Sequence, residues 1–332
     1  MKVINAAILG AGGMGKVHGN NLSKIEGVKV VSVCDFDLTR AKALSDLLGA
    51  KACDNLDDML AGESIEVLYI CLPPFAHDGQ FEKAAGKGMN IFIEKPIAIT
   101  SKRGESMVEA ACKAGIKTQV GFHMRYGSAV GKLRKMIANG EAGRPVLFNG
   151  RYQCNSLHSP WWIDVNKCGG QIFEQAIHVY DMCRYMFGNP KAVAGFMGNT
   201  CHAVVPGYTV EDVSASVSGF TTGATAAITA TNCAVPGRWD AIFDVVFENV
   251  SVFFQNPDEA EFHYMENGSQ RVESFNEPSN QMLLEDIDFI DIVRNDRVCV
   301  CPVEEGLRSL YYVEAVVTSA KLDGKKILVS NC

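Results

Sequence analysis

Val3-Ile4-Asn5-Ala6-Ala7-Ile8-Leu9-Gly10-Ala11-Gly12-Gly13-Met14-Gly15 decides the fold. The run up to Leu9 is apolar and partly β-branched, which favours a strand. Gly10, Gly12 and Gly15 spell G-x-G-x-x-G, and helical text follows to about Ile25. A second strand-like run, Val28–Cys34, ends on Asp35, twenty positions after Gly15. Strand, glycine turn, helix and a second strand closed by an acid form the context of a dinucleotide fingerprint. Gly10, Gly12, Gly13 and Gly15, with Met14 among them, permit a tight turn. They let a pyrophosphate approach backbone N–H groups at a helix N-terminus. Asp35 can accept hydrogen bonds from ribose hydroxyls and would repel a 2′-phosphate, so the pattern predicts NAD. Arg40 lies close enough in sequence to leave NADP open. A glycine-rich turn with no ligand is the competing reading.

Outward from that stretch, strand and helix alternate. Val67–Leu72, Asn90–Ile93 and Lys117–Phe122 read as a third, fourth and fifth strand, with helical text at Thr39–Leu48, His77–Lys87 and Ser101–Ala114. Strands separated by helices of this length mean βαβ units and a doubly wound parallel sheet. From about Val146 the texture changes. Val146–Gln153, Asp212–Phe220, Ala224–Thr231, Ala241–Phe247 and Val250–Gln255 are longer runs, several alternating with period two, interrupted by one apolar helix at Gly170–Phe187. That predicts a large open, mainly antiparallel sheet. The chain turns helical again at Gln281–Arg294 and Val303–Lys321. The expected class is α/β. A Rossmann domain spans 1–122, and an α+β substrate-binding and oligomerisation domain spans 123–332, its last helices packing back toward the junction.

The 332 residues carry 31 basic and 38 acidic side chains, a formal net charge of −7, and 47% are hydrophobic. That length suits two domains, and that apolar fraction suits packed cores rather than disorder. A mild acidic excess without a Lys/Arg cluster argues against nucleic acid and anionic membrane as partners. No run reaches the ~20 apolar residues of a membrane span. Met1-Lys2-Val3-Ile4 leads straight into the first strand with no signal-like segment, so the expected compartment is the cytoplasm. The twelve cysteines are scattered with no CxxC pair, and Cys299-Val300-Cys301 is too tight for a zinc knuckle. They are expected to be reduced and mostly buried, and no metal is expected.

Three further motifs carry chemistry. Cys71-Leu72-Pro73-Pro74-Phe75-Ala76-His77 is a strand end followed by a rigid turn, where a doubly wound sheet meets its cofactor. His77 there reads as a local packing or capping residue in preference to a cofactor contact. Glu94-Lys95-Pro96 ends the fourth strand-like run. Glu94 and Lys95 point to opposite faces, and a lysine at the carboxyl end of a parallel strand sits beside the ligand crevice. The competing reading is a solvated surface lysine. The third motif is Gly169-Gly170-Gln171-Ile172-Phe173-Glu174-Gln175-Ala176-Ile177-His178-Val179-Tyr180-Asp181. Its helix is apolar nearly all round, while Glu174, His178 and Asp181 share a face. A histidine oriented by a carboxylate is a proton-transfer unit. Asp181 fits better in a buried network with Arg184.

In this order the motifs resemble the Gfo/Idh/MocA oxidoreductase family over nearly the whole chain. The resemblance rests on the glycine fingerprint, the Cys71–His77 turn, Glu94-Lys95-Pro96, Gly121-Phe122 with Arg125-Tyr126, and the Gly169–Asp181 helix. It extends to Pro302-Val303-Glu304-Glu305-Gly306-Leu307 before the last helix. It implies a Rossmann domain joined to an α+β domain, with Lys95 as catalytic lysine and His178 as catalytic histidine. The family often carries Asp where this chain has Glu174; the longer side chain leaves open whether it touches substrate or only orients His178. The resemblance further implies an NAD(P)-dependent oxidoreductase that moves hydride between nicotinamide and a secondary hydroxyl or ketone of a sugar, cyclitol or related polyol.

Phe122, His123, Arg125, Trp161, Trp162 and Asp164 are the remaining candidates for substrate contact. A Trp pair followed by Asp suits a sugar, with its apolar ring faces and hydroxyl edges. The pair reads equally as core or interface aromatics. Val213–Phe220 and Ala241–Phe254 put apolar residues on both sheet faces in places, which predicts a homodimer or homotetramer through the C-terminal sheet. Two alternatives compete: an NAD-retaining enzyme that oxidises transiently to drive elimination or epimerisation, and a nucleotide-bound sugar sensor without turnover.

Overall fold

The computed structural model describes residues 3–330 apart from 63, 158 and 267. Met1, Lys2 and Cys332 thus lie outside the described residues. Two compact units are formed: Met1–Phe122 with Asn280–Leu307, and His123–Ser279 with Arg308–Cys332.

In chain order the elements are β1 (Ile4–Leu9), α1 (Gly13–Leu22), β2 (Val28–Cys34), α2 (Leu38–Leu48), β3 (Lys51–Cys53), α3 (Leu56–Ala61), β4 (Val67–Ile70), α4 (Gln80–Ala85), β5 (Asn90–Ile93), α5 (Ser101–Ala114) and β6 (Thr118–Val120). Then come α6 (Ser128–Ala138), β7 (Pro145–Gln153), α7 (Val165–Cys168), α8 (Ile177–Phe187), β8 (Ala192–Gly198), β9 (Val213–Gly219), β10 (Thr225–Thr231), β11 (Asp240–Phe247), β12 (Val250–Asn256), β13 (Glu259–Glu266) and β14 (Ser269–Asn276). The chain continues through α9 (Gln281–Asn295), α10 (Val303–Lys321) and β15 (Ile327–Leu328).

The first unit is a six-stranded sheet of order β3-β2-β1-β4-β5-β6, parallel throughout. Its central strands are buried apart from the half-buried Asn5 and Asn90, as strands covered on both faces must be. The order reverses between β1 and β4, so the crevice for a ligand lies at their carboxyl ends. Local signals set the helix limits. Asp37 caps α2 by accepting from the Thr39 N–H at 3.0 Å, and Gly49 ends it in the left-handed conformation. The sequence reading missed β3 and α3, so its third to fifth strands are β4 to β6. It also placed Asn280–Leu307 with 123–332, whereas α9 packs on α1. Phe289 and Ile290 join Ile8, Tyr69 and Phe92 in one buried cluster.

The second unit is a nine-stranded sheet of order β14-β13-β12-β11-β7-β10-β9-β8-β15. Every pairing is antiparallel except β7 with β10, which run parallel from Leu147↔Thr225 to Gln153↔Thr231. Alternation decides the faces. Phe148, Phe243 and Val245 are buried on the side that receives α8, while Val213 and Val217 are exposed on the other. Gly150 permits the close approach of α8, since a Cβ there would lie 2.4 Å from a Val179 methyl.

Candidate active site

The glycine turn is built for an anion. Gly10 has φ +99°, and a Cβ on it would lie 2.6 Å from the Cys71 carbonyl oxygen. A Cβ on Gly15 would lie 1.9 Å from the Gly10 oxygen. These two glycines are therefore fixed by packing. Gly12 and Gly13 differ: nothing lies within 4 Å of a Cβ built on either. Helix α1 begins there with no side-chain cap and no acid in its first turn. The first-turn N–H groups of a helix have no intrahelical partner, and with no side chain capping them here they are suited to a pyrophosphate. Asp35, 6% exposed, accepts from the Ala11 N–H through Oδ2 at 2.8 Å and from the Asp37 N–H through Oδ1 at 3.0 Å. Its carboxylate is thus held at the end of β2 with acceptor capacity left for a ribose. Arg40 lies 3.4 Å from Asp35 Oδ1, pairs with Asp37 at 3.1 Å and covers the exposed Phe36 ring at 4.9 Å. The residues present fit a bound dinucleotide, with Met14 half-buried beside the turn.

After β4, Cys71 and Pro74 are buried, while Leu72 and Pro73 are half-buried. Burial pushes the Cys71 thiol well above its usual range, so it stays neutral. Burial lowers the pKa of His77, and its Nδ1 lies 2.5 Å from the Ile97 carbonyl oxygen. The ring is therefore neutral, with Nδ1 as donor. At the end of β5 Glu94 is buried and Lys95 half-buried, and the Lys95–Pro96 peptide bond is cis. Phe122 is buried at the close of this unit.

In the second unit a π-helical stretch, Ile172–Ala176, replaces the regular start expected for the long apolar helix and runs into α8. Such wide turns recur at functional sites. Glu174 lies within it and His178 in the first turn of α8, both buried. The His178 ring stands edge-on to the His123 ring, with centroids 4.8 Å apart. Two predicted site residues are thus brought together. Glu174 and Trp162 line one small cavity with Tyr208 and Asn232.

Other candidates have their groups engaged. Arg125 Nε and a terminal nitrogen reach the two Asp181 oxygens at 2.8 and 2.7 Å, and the guanidinium covers the Tyr185 ring at 4.6 Å. Arg184, expected as the partner of Asp181, forms a longer buried ion pair with it at 3.7 Å and also donates to Ser309 Oγ at 2.9 Å. Asp164 caps α7 by accepting from the Asn166 N–H at 3.0 Å. Trp162 is buried with Cys168, Tyr208 and Val210 and stacks on Trp239 at 5.6 Å, while Trp161 stays half-buried at the edge of that cluster.

Sequence reasoning missed His18 and Asp286. His18 is fully buried in α1 and joins two carboxylates: Glu94 at 2.9 Å and Asp286 of α9 at 2.8 Å. The glycine fingerprint drew attention away from a lone histidine one turn further on. Among the described residues, His18–Glu94–Glu285 and Cys201–Asp212–Cys233 gather ligand-type atoms. Both Asp212 oxygens are already taken by the N–H groups of Thr200, Cys201 and His202.

Comparison with known proteins bears on the family and the fold. The chain is 32% identical over 187 residues to inositol 2-dehydrogenase of Salmonella typhimurium, covering 55% of this chain and 54% of that protein. It is 28% identical over 212 residues to 2,7-anhydro-N-acetylneuraminate hydratase of Mediterraneibacter gnavus, covering 61% and 54%. The chain spans about half the length of the curated relatives it matches. Its fold is similar to levoglucosan dehydrogenase solved with NADH and levoglucosan, with TM-score 0.91, 20% identity and coverage of 99% and 100%. A model described as an oxidoreductase family with an NAD-binding Rossmann fold matches residues 4–122, and the GFO/IDH/MocA C-terminal domain matches 130–253. With both models matching in order along one chain, this protein belongs to the Gfo/Idh/MocA oxidoreductase family.

Proposed function

We propose that the chain is an NAD-dependent dehydrogenase acting on a secondary hydroxyl of a sugar, cyclitol or related polyol, or on the matching ketone. The observation that carries this reading is the uncapped start of α1 at Gly12 and Gly13 with Asp35 fixed beside it. A nicotinamide cofactor bound there would supply the hydride acceptor. The chain's part is to hold the substrate and move its proton. Lys95 donates a hydrogen bond to the reacting oxygen and stabilises the charge that develops there. His178 accepts the hydroxyl proton, and returns it in the reverse direction. Glu174 orients His178, and His123 packs against its ring. The test is a screen of polyols and sugars with NAD and with NADP, read by absorbance of the reduced cofactor. Turnover with NAD on at least one cyclitol or sugar is expected; none on any member would overturn the reading.

The likeness to a hydratase favours a second reading, in which NAD stays bound and substrate is oxidised only transiently. Release of about one NAD per chain on denaturation, with substrate consumed and no net reduced cofactor, would select it.

The chain is further proposed to associate through its large sheet. Phe196, Val213, Val217, Phe253 and Val272 are exposed on the face turned away from α8. Exposed apolar side chains on an open sheet face are commonly covered by a partner. A second copy, giving a homodimer or homotetramer, fits it. Light scattering is expected to give a multiple of the 36.0 kDa chain mass; a single-chain mass at micromolar concentration would sink the proposal. No described helix is long and apolar enough to cross a membrane. The described cysteines are free thiols, which suits the cytoplasm.

A further inference from the structure

His18 sits one turn beyond the glycine fingerprint, fully buried against the stacked Tyr69 and Phe92 rings at 5.4 and 4.7 Å. Its Nδ1 lies 2.8 Å from Asp286 Oδ1, and Asn21 donates to the other Asp286 oxygen at 2.8 Å. Its Nε2 lies 2.9 Å from Glu94 Oε1. The second Glu94 oxygen accepts the backbone N–H of Lys95 at 3.0 Å. Gly121 leaves room for that carboxylate, since a Cβ there would lie 3.0 Å from it. The chain of contacts therefore runs from α9 through α1 to the peptide plane from which the Lys95 side chain departs.

We propose that His18 is a positioning residue: by bridging Asp286 and Glu94 it holds Glu94 on the Lys95 N–H and so fixes the direction in which the Lys95 amine is presented. This rests on the proposed role of Lys95. Consecutive side chains of an extended segment leave in opposite directions. Anchoring Glu94 at both oxygens therefore sets the orientation of its neighbour. Burying such a triad contributes little net stability compared with apolar side chains, so orientation is the better account of its presence. A cation is a poor occupant, because both imidazole nitrogens already face carboxylates.

The groups around the ring are Asp286 and Glu285 from α9, Glu94 just after β5, Tyr69 from β4 and Cys71 just after it. Burial pulls the His18 pKa down, but the hydrogen bonds and charges of Asp286 and Glu94 outweigh it and raise it to about 10. Burial holds the Glu285 acid well above the carboxylate range, so it is neutral. Since the folded pKa of His18 exceeds its ordinary 6.5, the stability it adds is complete below pH 6.5 and is lost as pH rises through about 10.

The test uses the full chain. In nitrogen NMR both His18 ring nitrogens are expected to stay protonated from about pH 6 to pH 9. A ring titrating near its ordinary value would overturn the clamp, as would a stoichiometric divalent metal in the purified protein. In His18→Gln the labelling rate of Lys95 by acetic anhydride, relative to exposed Lys24, is expected to rise about fivefold or more. In the same variant kcat on the best polyol is expected to fall about 100-fold, with the NADH Kd kept within about threefold. A lowered Tm with unchanged Lys95 labelling and kcat would show a merely structural role and overturn the proposal. If His18→Gln does not fold, Glu94→Gln and the wild-type NMR titration decide. If the wild type turns over no polyol, the functional reading fails on its own, while ring protonation and Lys95 labelling still decide the clamp.

Discussion

Lys95→Ala is expected to lower kcat/KM on the best polyol about 10³-fold, since it removes the amine proposed to donate to the oxygen on which charge develops. Lysine is a compact point charge at the end of β5, so Lys95→Arg should recover little: a planar guanidinium cannot place its donors where one ammonium stood. The NADH Kd, read by fluorescence, should change far less than kcat, because the pyrophosphate and ribose contacts are proposed to lie at the glycine turn and Asp35. Activity of Lys95→Ala within about tenfold of wild type would remove the amine from the mechanism and leave His178 without its proposed counterpart.

Asp181→Ala is expected to destabilise the second unit by about 3–5 kcal/mol, because it leaves the buried Arg125 and Arg184 charges without their shared carboxylate. Asp181 is itself fully buried, and both its oxygens are met by Arg125, with Ser309 on one of them at 3.0 Å. The pair also keeps register in the site. Arg125 belongs to the same short turn as His123, and Asp181 lies one helical turn after His178. Loosening it should separate the two imidazoles, so kcat should fall even well below the melting temperature. Denaturant unfolding measures the first effect; a loss under about 1 kcal/mol would place the pair among weak ion pairs.

What could be read from the sequence depended on the range of the signal. The glycine turn, Asp35 and Glu94-Lys95-Pro96 are local patterns, and each sits where the βαβ rhythm places it. The β3 strand, Lys51–Cys53, is three residues long with an exposed first residue, too short for alternation to show. The parallel pairing of β7 with β10 is set by topology, and no residue pattern in either strand distinguishes it from the antiparallel neighbours. His18 was hidden for a different reason. Its partners lie 76 and 268 positions away, so nothing nearby marks it as more than a core histidine. Arg125 shows the same limit: it looks available in the sequence, and only the fold reveals that Asp181, 56 positions on, has claimed it.

The return of Asn280–Leu307 to the first unit governs the order in which the protein can be made. The dinucleotide-binding half starts the chain, yet Phe289 and Ile290 of its core, and the Asp286 that His18 needs, are translated after the whole strand-rich segment. At about 5–20 residues per second the nascent first half waits on the order of ten seconds for them. During that wait the surface of α1 that α9 covers lies open, and the His18 imidazole lacks one of its two acids. Biogenesis of this chain is therefore a race between late arrival of α9 and early capture by other sticky surfaces, and chaperones that shield α1 during elongation would tilt it toward the native outcome.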